Sequence, residues 1–140
     1  KAEIAWMCTG NPYIGVPGVS NHKGLETVLR KLKEQGLKRV YECYDMDKMM
    51  ELSCKHDEKS ACRQCEHGIH LYHGECPRKR RKRDMIRKGC IKLYEICEEL
   101  NVSCKRVTWD TDASGTWMEH YKGVDDWILR KEEKGHRKTA

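Results

Sequence analysis

Lys38-Arg39-Val40-Tyr41-Glu42-Cys43-Tyr44-Asp45-Met46-Asp47-Lys48 is the stretch on which the fold turns. Its first half, Arg39 to Tyr44, is rich in residues suited to a pleated surface and predicts a short strand. Asp45 and Asp47 then stand one residue apart where that strand stops and the chain turns outward. Two carboxylates at one strand end can share a hard divalent cation, because Mg²⁺ and Mn²⁺ prefer oxygen ligands. Taken alone, Asp-x-Asp is more often the signature of a solvated turn with capping aspartates.

Upstream, Leu25, Val28, Leu29 and Leu32 recur at helical spacing and predict an amphipathic helix. Gly36 lies just past its end, as a helix C-terminus prefers. Before it, Tyr13-Ile14-Gly15-Val16 is a short apolar run suited to a buried strand, and Pro17-Gly18-Val19-Ser20-Asn21 follows as a turn. Lys1 to Thr9 carries Ile4, Ala5 and Cys8 at helical spacing, stopped by Gly10-Asn11-Pro12.

Downstream, Ile86, Cys90, Leu93, Tyr94, Cys97 and Leu100 line one helical face, and Cys104 to Trp109 predicts another strand. Asp110 to Tyr121 reads as a polar loop, and the segment from Lys122 to Leu129 ends in a short helix. Strands alternating with helices imply parallel pairing in an α/β layer fold. The organisation expected is residues 1–52 and 90–130 as two parts of one domain, 53–89 as an insertion, and 131–140 as a basic tail.

The insertion breaks the rhythm. Ser53 to Gly89 is too long and polar for a simple strand-to-helix connection. It holds Cys54, Cys62, Cys65 and Cys76, four of the nine cysteines. Cys62-x-x-Cys65 is a metal knuckle, and four thiolates would close a tetrahedral Zn²⁺ site that staples a core-poor segment. His67, His70 or His73 could replace one cysteine. Cys8, Cys43, Cys90, Cys97 and Cys104 fall on helices or strands and read as small core residues.

The formal net charge is +6, and its excess is concentrated in Arg78-Lys79-Arg80-Arg81-Lys82-Arg83. Six consecutive cations cannot pack together without counter-charge, so they are expected at the surface. A nucleic-acid backbone is the partner that fits them. Hydrophobic residues make up 38% of the 140-residue chain and no apolar run approaches a membrane span of about 18 residues. An odd number of cysteines without a visible secretory signal suggests a reducing, cytoplasmic setting.

Read together, four motifs resemble the TOPRIM domain, in the primase-like form found in phage, plasmid and mobile-element replication proteins. They are Lys1-Ala2, Ile14-Gly15-Val16-Pro17-Gly18-Val19, Asp45-Met46-Asp47 and Lys122-Gly123-Val124-Asp125-Asp126, in the family's order over nearly the whole chain outside 53–89. The resemblance implies a Rossmann-like parallel sheet flanked by helices. It implies metal-dependent nucleotidyl transfer, with Asp45, Asp47 and Asp125 as catalytic ligands of Mg²⁺ or Mn²⁺. Lys122 would meet a phosphate, and Asn21, His22 and Lys23 would lie near nucleotide or DNA. The implied partners are DNA, nucleotides and further domains of a longer replication protein. A TOPRIM nuclease and a non-catalytic, zinc-containing DNA-binding module are the alternatives. The family's glutamate, at the end of its first strand, would fall before Lys1, and Glu3 does not match that position.

Overall fold

The computed structural model describes residues 1–53 and 75–136. Four helices, one 3-10 turn and a two-stranded parallel sheet make a mixed α/β fold. Helix α1 spans Ala2–Thr9 and α2 spans His22–Glu34. Strand β1 is Arg39–Glu42, followed by a 3-10 turn over Met46–Met49. Helix α3 runs Pro77–Glu99, strand β2 is Ser103–Arg106, and α4 is Val124–His136. β1 and β2 pair in parallel, with Arg39 opposite Ser103 and Glu42 opposite Arg106. Parallel pairing requires a crossover, and α3 lies within it and packs against both strands.

Two apolar clusters hold these elements. Leu25 and Leu29 of α2 meet Leu93, Ile96 and Cys97 of α3 and Leu100 just past its end, with Val102 closing the group. Leu25, Leu29, Leu93, Cys97 and Leu100 belong to the faces that the sequence spacing marks, whereas Val28 is exposed. The second cluster joins Met46 and Met50 to Trp109 and Trp117, with Tyr121 and Trp127 packed around it. In a chain without Phe, methionine and tryptophan fill this part of the core.

Three expectations change. Tyr13 to Val16 forms no strand; it is irregular chain with Ile14 exposed, so the described sheet has two strands. A fully buried strand needs neighbours on both sides, and this run has none. Helix α3 begins at Pro77, inside the segment read as an insertion, so the basic run is helical. Proline suits a first helical position because it lacks only an N–H that would be unsatisfied there. Helix α4 extends through His136, past the boundary drawn at residue 130.

Gly89 sets how closely the turn before α2 approaches α3. A β-carbon there would lie 2.8 Å from Val19 Cβ and 2.9 Å from the Val19 carbonyl oxygen. Gly24, early in α2, faces open space. Gly24→Ala is therefore expected to raise stability by about 0.5–1 kcal/mol through helix propensity. Gly89→Ala is expected to lower it by about 1 kcal/mol net, since the main chain at Val19 must shift. Urea unfolding midpoints of the two variants check this; equal shifts would show that the contact is not tight.

Candidate metal and nucleic-acid site

The exit of β1 organises the site. Met46 N–H donates to the Lys122 carbonyl at 2.9 Å, tying the segment before α4 to the Asp45–Asp47 turn. Asp45 is the residue before the 3-10 turn, and Asp47 sits within it, buried at 1% exposure. Asp125 lies in the first turn of α4 and is also buried. All three aspartates named from the sequence are thus held at one end of the sheet by neighbouring segments.

Their charges meet lysines. Lys122 Nζ lies 3.3 Å from Asp45 Oδ2 and 2.9 Å from Asp47 Oδ2. Contact with Asp47, and further with Asp45, raises the Lys122 ammonium above the ordinary lysine value, although burial opposes it. Lys82 of α3 lies 3.2 Å from Asp47 Oδ2, and Lys1 Nζ donates to Asp45 Oδ1 at 2.7 Å. Space at Gly123 is tight: a β-carbon there would lie 3.1 Å from Lys1 Nζ and would collide with Asp125 Oδ1. Glycine at 123 leaves that carboxylate its place.

Two oxygens stand out. Asp47 Oδ2 and Asp125 Oδ1 are buried and lack a hydrogen-bond partner. For Asp47 the lysines are near enough for ion pairing, but they lie outside hydrogen-bond geometry. Buried acceptors without partners are costly, on the order of 1–3 kcal/mol each and more when charged. Among the described residues no group of three or more His, Cys, Asp or Glu side chains is arranged to hold a metal ion. The carboxylate chemistry fits a hard cation, with ammonium groups standing beside Asp45 and Asp47. A cation binding there would displace Lys122 from the pair.

The basic run is sorted by the helix. Lys79 donates to the Ser53 carbonyl, Arg80 pairs with Glu75, Lys82 with Asp47, and Arg83 lies 3.8 Å from Asp84. Arg78 and Arg81 are exposed. Cations crowd the N-terminal turns of α3, where the macrodipole is unfavourable to them by some tenths of a kcal/mol each. Of the expected zinc ligands, Cys54, Cys62 and Cys65 lie outside the described residues. Cys76 is half-buried and immediately precedes α3.

Two buried groups escaped the sequence reading. Glu42, at the end of β1, and Lys48, in the 3-10 turn, form an ion pair of 2.7 Å with both side chains fully buried. Glu42 also accepts from the Tyr44 N–H and the Tyr94 hydroxyl, and Arg106 lies 3.3 Å away. Lys48 donates to the Val107 carbonyl and stands over the Trp109 ring. Burial pushes the Tyr94 hydroxyl up to about 12 and the nearby Cys90 thiol to about 11. Strand alternation carries a signal for Glu42, which shares a face with the core-facing Val40 and Tyr44.

The loop after β2 is built around Asp110. Its carboxylate accepts from the N–H groups of His120 and Tyr121 and contacts the His120 ring at 3.1 Å. Burial works against that charge, but the Tyr121 and His120 donors outweigh it and hold the carboxyl below the ordinary aspartate value. The Trp109 and Trp117 indoles both donate to the Tyr121 carbonyl. The loop thereby fixes the chain direction into Lys122.

Comparison with known proteins assigns no class: no family model matches the chain, and no curated protein or solved structure matches it. No helix among the described residues is long and apolar enough to cross a membrane.

Proposed function

We propose that this chain is a TOPRIM-like domain that carries out divalent-metal-dependent nucleotidyl transfer on nucleic acid, of the primase type. The observation that carries the reading is the buried Asp125 Oδ1, which has no hydrogen-bond partner, on a segment tied to the Asp45–Asp47 turn by the Met46–Lys122 hydrogen bond. Asp45, Asp47 and Asp125 would hold Mg²⁺ or Mn²⁺. The bound ion supplies charge stabilisation at the attacking and leaving phosphate oxygens. Lys122, beside Asp45 and Asp47, would pair with a substrate phosphate. Arg78 and Arg81 contact the nucleic-acid backbone, with Lys79, Arg80, Lys82 and Arg83 adding to the positive field. The cysteine set Cys54, Cys62, Cys65 and Cys76 binds structural zinc in the same proposal.

A second reading has its own support. Lys1, Lys82 and Lys122 already neutralise Asp45 and Asp47, which suits a non-catalytic DNA-binding module. Manganese titration separates the two. Mn²⁺ is expected to broaden the amide signals of residues 45–47 and 123–125 selectively, and Asp125→Asn is expected to weaken binding about tenfold. Uniform, weak broadening unaffected by Asp125→Asn would favour the binding-only module.

A further inference from the structure

Away from the aspartates, a cleft of about 540 Å³ opens between the turn before α2 and one face of α3. Its volume lies within the range of about 300–1,000 Å³ typical of small-molecule sites. It is lined by Val19, Ser20 and His22 on one side and by Arg81, Asp84, Met85, Lys88 and Gly89 on the other. The α3 residues recur at i, i+3, i+4, i+7 and i+8, so they share one helical face.

The lining is chemically divided. Arg81 and Lys88 are exposed cations, and among the described residues neither is in a salt bridge. His22 Nδ1 is buried and has no hydrogen-bond partner. Arg81 and Lys88 suit a phosphate, and the His22 ring lines the wall beside them with its Nδ1 turned away from solvent. Met85 exposes 52% of its surface and offers an apolar contact. Asp84 and Ser20 can accept from hydroxyl or amino groups. Asp84 would repel a phosphate placed beside it, so it favours a ligand whose anionic and neutral parts are separated. Gly89 keeps the two walls close together.

We propose that this cleft is a nucleotide-binding site, with the phosphates against Arg81, Lys88 and His22 and the nucleoside against Met85, Asp84 and Ser20. It goes beyond the metal-dependent reaction, because it uses none of the aspartates of that site and needs no divalent ion.

Calorimetric titration of the whole chain with ATP, in EDTA and at fixed ionic strength, tests it. Saturable binding is expected. Arg81→Ala/Lys88→Ala should weaken it at least tenfold, and His22→Ala should weaken it several-fold. Asp45→Asn/Asp47→Asn should leave it unchanged, so failure of the metal reading would not disturb this result. Inorganic phosphate should bind at least tenfold more weakly than ATP. No ATP binding, or ATP binding indifferent to Arg81→Ala/Lys88→Ala, overturns the proposal. So does phosphate binding as tightly as ATP, which would mean a general anion site only. Binding of a 5′-phosphorylated oligonucleotide but not of ATP also overturns it, in favour of a purely nucleic-acid surface.

Discussion

Lys48→Met is expected to lower stability by about 3–5 kcal/mol, because it strands the Glu42 carboxylate inside the protein. Both side chains are fully buried, and their contact is 2.7 Å. Tyr44 N–H, the Tyr94 hydroxyl and Arg106 remain around Glu42, but only Arg106 carries charge, and it is 40% exposed. A domain of this size has about 5–15 kcal/mol in all, so the loss removes a large part of its stability. The melting temperature should fall on the order of 10 °C. The double change Glu42→Gln/Lys48→Met should recover much of that loss, since no unpaired charge is left behind. Urea denaturation of the three proteins measures it. A single-mutant loss below about 1 kcal/mol would show that Glu42 finds solvent or another cation when Lys48 is gone.

The second large effect concerns activity. Asp45→Asn/Asp47→Asn is expected to reduce Mg²⁺-dependent nucleotide incorporation on a primed template at least 100-fold, about 2.7 kcal/mol of transition-state stabilisation. Stability should change little, since each lost charge also frees a lysine. Lys122→Met makes the reading sharper, because its two effects have opposite signs. It removes the ammonium beside both aspartates, so Mn²⁺ affinity should rise severalfold. It also removes the phosphate contact, so incorporation should fall. Lys122 is itself 47% exposed, so its pair with the partly exposed Asp45 is worth less than about 1 kcal/mol of stability. If Mn²⁺ affinity instead stays where it was, no ion binds between these aspartates and the metal reading loses its main support.

Much of the secondary structure was legible because it rests on local periodicity. Leu25, Leu29, Leu93 and Cys97 sit where a 3.6-residue repeat puts them, and all four are buried. Gly36, past the end of α2, takes a φ of 98°, a left-handed value that glycine adopts freely. The Tyr13–Val16 run misled because apolar character alone does not make a strand. A strand needs a partner edge, and none of the described segments supplies one there. The basic run misled in a different way. It falls within the stretch that reads as an insertion breaking the helix–strand rhythm, yet arginine and lysine are good helix formers, and Pro77 starts the helix. The candidate site was legible as a set of aspartates. Their lysine partners were not, because Lys1 and Lys82 reach them from distant parts of the chain.

The sequence by itself determined the apolar faces of α2 and of the second half of α3 and the location of the two paired strands, since spacing and side-chain chemistry are local properties. Only the tertiary structure decided which charges are solvated and which are paired. Burial of Glu42 against Lys48, the three lysines around Asp45 and Asp47, and the Asp125 Oδ1 without a hydrogen-bond partner arise where separate segments pack together. Electrostatic energies depend on distance and dielectric environment, and both are set by that packing.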